Sequence, residues 1–115
     1  MACPFFLCLH SNLKAQEKLD DLLSLDFQPS TLPPKAPEDL SDLKGIYLDN
    51  LHDLFYLIFF ESEAAYEKMK GLEKDRLSTM ESYEGDEAWN QFLQAEIKLQ
   101  WAFLKLKYGD EWGAF

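Results

Sequence analysis

Residues 88–115 read AWNQFLQAEIKLQWAFLKLKYGDEWGAF, and the segment up to residue 108 decides the fold class. Its apolar residues recur every three or four positions, which is the spacing of one face of an α-helix. Gly109 has the place of a helix-ending C′ residue. We therefore predict a helix from about Ala88 to Tyr108. Its main apolar stripe is predicted to contain Trp89, Phe92, Leu93, Ile97, Gln100, Trp101, Leu104 and Tyr108, and Leu99, Phe103 and Leu106 widen it.

The end of the sequence begins another element. Asp110 has the character of a helix N-cap, and Trp112, Ala114 and Phe115 follow it. We expect these residues to open a further helix whose packing partner lies beyond residue 115. The sequence thus predicts the front part of a longer helical array. Trp112 and Phe115 are predicted to lie on bare apolar surface beside Phe103 and Leu106, which makes them candidate partner-contact residues.

Two earlier segments also have helical spacing. The first opens at Pro37, with Glu38 and Asp39 in the first turn, and its apolar positions continue to Ile58. The second follows a cap at residues 61–63 and is predicted as one helix over 64–83. A turn at 84–87 precedes the last helix, with Asp86 as the predicted N-cap. Connections this short place neighbouring helices antiparallel, so we predict an all-α fold of antiparallel helical hairpins.

The N-terminal part is predicted to be a separate region. Residues 1–15 contain the apolar run ACPFFLCL, followed by a polar stretch that ends in Ala15, which is typical of the rear half of a secretory signal peptide. The alternative is an amphipathic N-terminal arm. Residues 16–115 form the predicted helical domain, with a short helix over 17–25 and a proline-rich linker at 28–37. We expect an exported, periplasmic protein, or otherwise a cytoplasmic one.

The charge excludes several classes of function. The formal net charge is −10 in 115 residues. Nucleic-acid binding needs a basic footprint, and anionic membrane surfaces attract basic segments, so neither partner is expected. No apolar run is long enough to cross a bilayer. One alternative remains open, namely a small acidic inhibitor that mimics nucleic acid or blocks a basic enzyme.

The sequence offers little catalytic chemistry. His10 lies in the leader, and His52 is expected on a helix flank in contact with solvent, although a proton-shuttling pair with a nearby aspartate is conceivable. Neither a nucleophile elbow nor a glycine-rich phosphate loop is present. The carboxylates of Glu61, Glu63 and Glu67 are expected to be solvated rather than to hold a cation. We predict no catalytic residue, no cofactor and no metal, and hence a protein that is not an enzyme.

Two resemblances refine this prediction. The segment AEIKLQWAFLKLKYGDEWGAF resembles part of a tetratricopeptide repeat, with Ala102 at the small position of a helix contact, Gly109 at the turn and Ala114 on the following helix. A second resemblance is carried by the segments QAEIKLQWAFLKLKYGDEWGAF, YLDNLHDLFYLIFFESEAAYEKMKG and KDRLSTME. Through them residues 40–115 are similar to a family of exported bacterial tetratricopeptide-like proteins of unknown function, although residues 28–37 depart from its pattern. The resemblance implies a stack of helical hairpins with repeat-packing roles for Trp101, Ala102, Gly109 and Ala114.

The function expected from these observations is a non-enzymatic protein–protein interaction or scaffolding module with an unidentified protein partner. Self-association through the C-terminal helix is a further expectation, because a shortened array leaves an apolar face bare. A sensor region of a larger enzyme is the other alternative. A ligand-binding cage of Trp89, Trp101 and Trp112 is the less favoured interpretation, since tryptophans at helical spacing are usually core residues. Of the three, Trp112 is the one expected to be exposed.

Overall fold

A computed structural model describes residues 33–110 of the chain. The predicted leader, the helix over 17–25 and the first half of the proline-rich linker lie outside the described residues, as do Trp112, Ala114 and Phe115. The described part contains four helices and no strand, which confirms the all-α class. They are α1 (Leu40–Phe60), α2 (Glu63–Met69), α3 (Leu72–Glu81) and α4 (Glu87–Lys107).

Helix α1 begins with a side-chain cap. The carboxylate of Asp39 accepts a hydrogen bond of 2.9 Å from the backbone N–H of Asp42, so Asp39 is the N-cap. The prediction that Pro37 lies in the first turn was therefore wrong, because the cap is two residues later. The helix ends at Glu61, whose φ of 49° is in the left-handed region and stops the helical path.

The single helix predicted over 64–83 is in fact two helices, α2 and α3, interrupted at Lys70 and Gly71. Ser62 caps α2 as predicted, and its hydroxyl accepts a hydrogen bond of 3.2 Å from the N–H of Ala65. Gly71 is the N-cap of α3 and makes no side-chain capping bond. Glycine has a low helix propensity, which makes this position the weakest point of the predicted helix.

The directions of the long helices follow from contacts at both ends of the bundle. At one end Lys44 of α1 lies over the ring of Trp89 at the start of α4. At the other end the hydroxyl of Tyr108 donates to the carbonyl of Leu57 at 2.5 Å. Helices α1 and α4 therefore run in the same direction. Helix α3 runs oppositely, since Glu73 near its start pairs with Lys105.

The core lies between α1, α2, α3 and α4, and Trp101 is fully buried within it. The exposed fractions correct the predicted stripe of α4, because Trp89 and Phe92 are 48% and 55% exposed. The buried face of the helix is narrower than the apolar pattern and is centred on residues 93, 97, 101 and 104. The buried hydrophobic residues are Leu43, Ile46, Leu57, Tyr66, Met69, Leu72, Met80, Leu93, Ile97, Trp101 and Leu104.

The two ends of α4 differ in how well they were predicted. Asp86 is the N-cap residue, with φ of 47°, but its carboxylate accepts from the hydroxyl of Tyr83 at 3.0 Å and does not cap the helix. Gly109 is the C′ residue, as predicted, with φ of +76°. The N–H of Gly109 donates to the carbonyl of Leu106, and the N–H of Asp110 donates to that of Lys105 at 2.7 Å, which is a Schellman ending.

Candidate protein-interaction site

A buried polar network lies at the centre of the bundle. The guanidinium of Arg76 forms an ion pair with the carboxylate of Asp53 and donates a hydrogen bond of 2.9 Å to the amide oxygen of Asn50. The indole N–H of Trp101 donates to the same oxygen at 2.7 Å. The network connects α1, α3 and α4 and fixes their relative positions.

The network continues towards the surface through the amide of Asn50. The Asn50 amino group donates to Oε1 of Gln100 at 2.6 Å, and Nε2 of Gln100 lies 3.5 Å from the hydroxyl of Tyr47. Among the described residues, no buried side-chain nitrogen or oxygen lacks a hydrogen-bond partner. A fully paired network of this kind specifies one arrangement of the helices. Since the Arg76 and Asp53 side chains are only 2% and 0% exposed, their role is structural.

A second polar contact ties α3 to α4. The amino group of Asn90 donates to the carbonyl of Met80 at 2.7 Å, and Asn90 in turn accepts from Gln94 at 2.8 Å. The carbonyl of Met80 is in the last turn of α3, where intrahelical partners are missing. Asn90 therefore caps the end of α3 from the neighbouring helix.

Aromatic packing closes the end of the bundle near residue 110. The rings of Tyr66 and Tyr108 are stacked, with centroids 4.6 Å apart and planes 7° apart. The hydroxyl of Tyr66 donates to the carboxylate of Asp110 at 3.2 Å. Burial and the nearby charge of Asp110 raise the pKa of Tyr66 to about 12. Gly109 thus directs the chain back to a contact with α2.

His52 differs from its prediction. It is buried and does not lie on a solvent-exposed flank. It is nine positions from Leu43, which places it on the opposite side of α1 from that core residue. The conceivable proton-shuttling partner Asp53 is ion-paired with Arg76.

The described residues 33–110 contain no group of three or more His, Cys, Asp or Glu side chains that could hold a metal ion. Two of the glutamates considered as cation ligands make ion pairs, Glu61 with Lys107 at 3.0 Å and Glu67 with Lys70 at 2.7 Å. In the same part of the chain, no helix has the length and apolar character needed to span a bilayer.

Carboxylates are concentrated at the end of the bundle where α3 turns into α4. An open cleft of about 540 Å³ is located there, and four acidic residues contribute to its lining. The start of α1 belongs to the same end, since Lys44 lies over the ring of Trp89 at the start of α4. The hydrogen bond to Asp86 is the main cause that raises the pKa of Tyr83, and the charges of Asp39 and Asp42 add to it. We call this region the acidic end. Its carboxylates are those of Glu38, Asp39, Asp42, Glu81, Glu84, Asp86 and Glu87.

The outer face of α4 carries four of the seven large hydrophobic side chains that are exposed on the described helices. Phe92, Leu99, Phe103 and Leu106 are 55%, 66%, 53% and 53% exposed. Their spacing of seven, four and three residues places them on one side of the helix, opposite the buried residues, over about 21 Å. We call these four residues the outer stripe. With about 100 Å² exposed by each large side chain, the stripe presents roughly 400 Å², a patch size that often marks an interaction site.

The structure places three of the six sequence-predicted site residues. Trp101 is in the core, Gly109 is in the helix-ending turn and Ala102 is half-buried beside the outer stripe. Ala114, Trp112 and Phe115 lie outside the described residues. Sequence reasoning missed the network of Asn50, Asp53 and Arg76. The available signal was that Asn50 and Asp53 lie three positions apart on the same side of α1 as the apolar residues Leu43, Ile46 and Leu57.

Comparison with protein-family models, with curated proteins and with solved structures finds no match. The functional assignment therefore depends on the geometry of the described residues.

Proposed function

We propose that the chain is a non-enzymatic protein–protein interaction or scaffolding module that binds a helix of its partner on the outer stripe of α4. The proposal retains a tetratricopeptide-like stack and an exported location, which come from the sequence pattern. A single observation carries it: four large apolar side chains on one side of α4 are more than half exposed.

The packing of the opposite side of α4 favours a binding role for the outer stripe. Trp101 and Ile97 on the opposite side of α4 are fully buried, and Trp101 is hydrogen-bonded to the central network. The helix is therefore held rigidly while its outer side faces solvent. A preformed apolar surface binds without the cost of ordering a flexible segment.

A protein partner fits this surface better than a membrane does. The net charge of −10 opposes approach to anionic lipid. Two of the lysines on α4 are already neutralised, Lys105 by Glu73 and Lys107 by Glu61. A row of apolar residues on one helix is the usual surface for a second amphipathic helix.

Site-specific photocrosslinking tests the proposal. A benzoylphenylalanine replaces Leu99 on the stripe, and a matched variant carries it at Ser78, which is exposed on α3. In cells that express the protein naturally, we expect a discrete adduct from position 99 and none from position 78. The adduct should disappear when Phe103→Glu is added. Equal labelling from both positions, or no adduct from position 99, contradicts the proposed function.

The acidic end favours a second candidate, the acidic inhibitor of a basic protein. Seven carboxylates surround one end of the bundle, and Lys44 lies on the adjacent turn of α1 over Trp89. Replacing Glu84 and Glu87 by lysine should abolish binding if this candidate is correct. The same change should leave the stripe-dependent adduct unchanged if the outer stripe is the binding surface.

A further inference from the structure

We propose that the helix bound by the outer face of α4 is α4 of a second copy of this chain, packed antiparallel. This inference rests on the proposed function and specifies the partner. The observation behind it is a seven-residue repeat that three residues of the outer stripe share with three neighbouring alanines.

Large residues and alanines alternate along the outer face of α4. Phe92, Leu99 and Leu106 are separated by seven residues, and Ala88, Ala95 and Ala102 repeat with the same period between them. Steps of four and three residues define the seam of a helix pair. We call these six residues the seam. Phe103 flanks it on one side.

An antiparallel pair centred on Ile97 matches every large residue with an alanine. Phe92 lies opposite the partner's Ala102, Leu99 opposite the partner's Ala95, and Leu106 opposite the partner's Ala88. The two-fold symmetry repeats each contact, so all six seam residues of both copies are used. Each layer then contains one large and one small side chain, which keeps the helix separation constant and the packing dense.

A parallel pair in register lacks this complementarity. It would bring Phe92 against the partner's Phe92 and Ala95 against the partner's Ala95. Layers would alternate between two large and two small residues, which leaves voids because the helix axes cannot follow such changes in width. The sequence alternation therefore selects the antiparallel direction.

The area of the seam determines how strongly two copies are expected to associate. The four stripe residues and the three alanines offer roughly 500 Å² per copy, or about 1,000 Å² in total. This is at the low end for specific association, so we expect a dissociation constant in the micromolar range. The two Glu96 carboxylates lie beside the symmetry axis on the same side of the pair, so association should be stronger at high NaCl concentration.

Sedimentation equilibrium of the full chain gives the first test. We expect a monomer–dimer equilibrium that Leu99→Glu weakens at least about tenfold. Ser78→Glu introduces the same charge on an exposed position of α3 and should change the dissociation constant less than about twofold. Because Leu99 is 66% exposed, the variant should keep its circular dichroism spectrum and melting temperature when dilute. A wild-type chain that stays monomeric at all concentrations overturns the dimer.

Disulfide cross-linking tests the register. In a background of Cys3→Ser and Cys8→Ser, one sample carries Ala88→Cys and another carries Leu106→Cys. The antiparallel pair predicts a disulfide dimer only when both are mixed, since residues 88 and 106 are about 27 Å apart within one helix. Cross-linking of each variant alone overturns the antiparallel register. If the wild type is monomeric while position 99 still photocrosslinks to another protein, the dimer fails and the proposed function stands.

Discussion

The guanidinium of Arg76 and the carboxylate of Asp53 form an ion pair inside the bundle, with side chains 2% and 0% exposed. The pair connects α3 to α1, and Asn50 extends it to Trp101 of α4. A buried charge is tolerated only while its partner is present, because an uncompensated charge in the interior carries its full desolvation cost. This pair therefore makes the helix arrangement sensitive to single substitutions.

The first prediction follows from this sensitivity. Arg76→Met should lower the free energy of unfolding by about 3–5 kcal/mol, because it leaves the Asp53 carboxylate buried without its cation. The double variant Asp53→Leu with Arg76→Met should recover at least half of that loss, since no charge remains in the interior. Urea unfolding followed by circular dichroism measures both.

The exposed ion pair between Lys70 and Glu67 provides the control, with side chains 47% and 63% exposed. Lys70→Met should produce no measurable loss, because exposed pairs are screened by water. The single variant Asp53→Leu completes the comparison. A double variant whose loss of stability equals the sum of the losses of Arg76→Met and Asp53→Leu would show that the two residues stabilise the fold independently of each other.

The second prediction compares two tryptophans of α4. Trp101→Ala should cost about 3–5 kcal/mol, because it empties the centre of the core and removes a donor to Asn50. Trp89→Ala should cost less than about 1 kcal/mol, since Trp89 is 48% exposed and its ring contacts are with Lys44 at 4.8 Å and with the exposed Phe92. Chemical denaturation of the two variants under the same conditions shows which one loses more unfolding free energy. Similar losses in both variants would contradict the assignment of Trp101 to the core.

The presence of the helices could be predicted from the sequence, because it depends on the local spacing of apolar residues. Which face of α4 is buried could not be predicted in this way. Apolar residues occupy both sides of that helix, and only the positions of α1 and α3 determine that Leu93 and Ile97 are buried while Phe92 is exposed. Hydrophobicity alone does not separate a core face from a binding face. The pattern therefore predicted one wide stripe where there are two.

The polar network was unpredictable for a related reason. Asn50 and Asp53 are adjacent on one helix face, but Arg76 is 23 residues beyond Asp53 and joins them only after the bundle has formed. The break between α2 and α3 is different, because Gly71 is a local signal that the continuous stripe outweighed in our prediction. The candidate binding surface was foreseen only at Phe103 and Leu106, beside residues that lie outside the described range.

The third prediction uses two glycines in opposite conformations. Gly71 has helical φ and ψ of −71° and −17°, and an added Cβ would meet no heavy atom within 4 Å. Gly71→Ala should therefore stabilise the chain by about 0.4–1 kcal/mol, because it restricts the unfolded state. Gly109 has φ of +76°, so Gly109→Ala should destabilise it by about 1–2 kcal/mol despite equal space.

Thermal unfolding of both glycine variants at one protein concentration measures the difference. Opposite shifts of the melting temperature are expected. Shifts of the same sign would mean that the Schellman ending at Gly109 contributes nothing to stability, or that the break at Gly71 requires glycine.

The last prediction concerns alkaline pH. Burial and the charge of Asp110 raise the pKa of Tyr66 from 10.0 to about 12 in the folded chain. The folded state thus holds the phenolic proton more tightly than the unfolded state. The resulting stability is fully present below pH 10 and is lost as the pH rises towards 12, by about 2–3 kcal/mol. Tyr66→Phe removes this dependence, because phenylalanine does not ionise.

The two stability curves should therefore cross. Near pH 8 Tyr66→Phe should be less stable than the wild type by less than about 1 kcal/mol, because it loses only the hydrogen bond to Asp110. Near pH 12 it should be the more stable form. The other tyrosines are common to the wild type and the variant, so urea unfolding across this pH range isolates the effect of Tyr66.

Asp110→Asn tests the contribution of the neighbouring charge. It should lower the pKa of Tyr66 in the folded state and so reduce the difference from the unfolded pKa, while burial still keeps the folded pKa raised. Parallel curves would mean that Tyr66 ionises alike in the folded and unfolded chains, and its contact with Asp110 would then have no energetic weight.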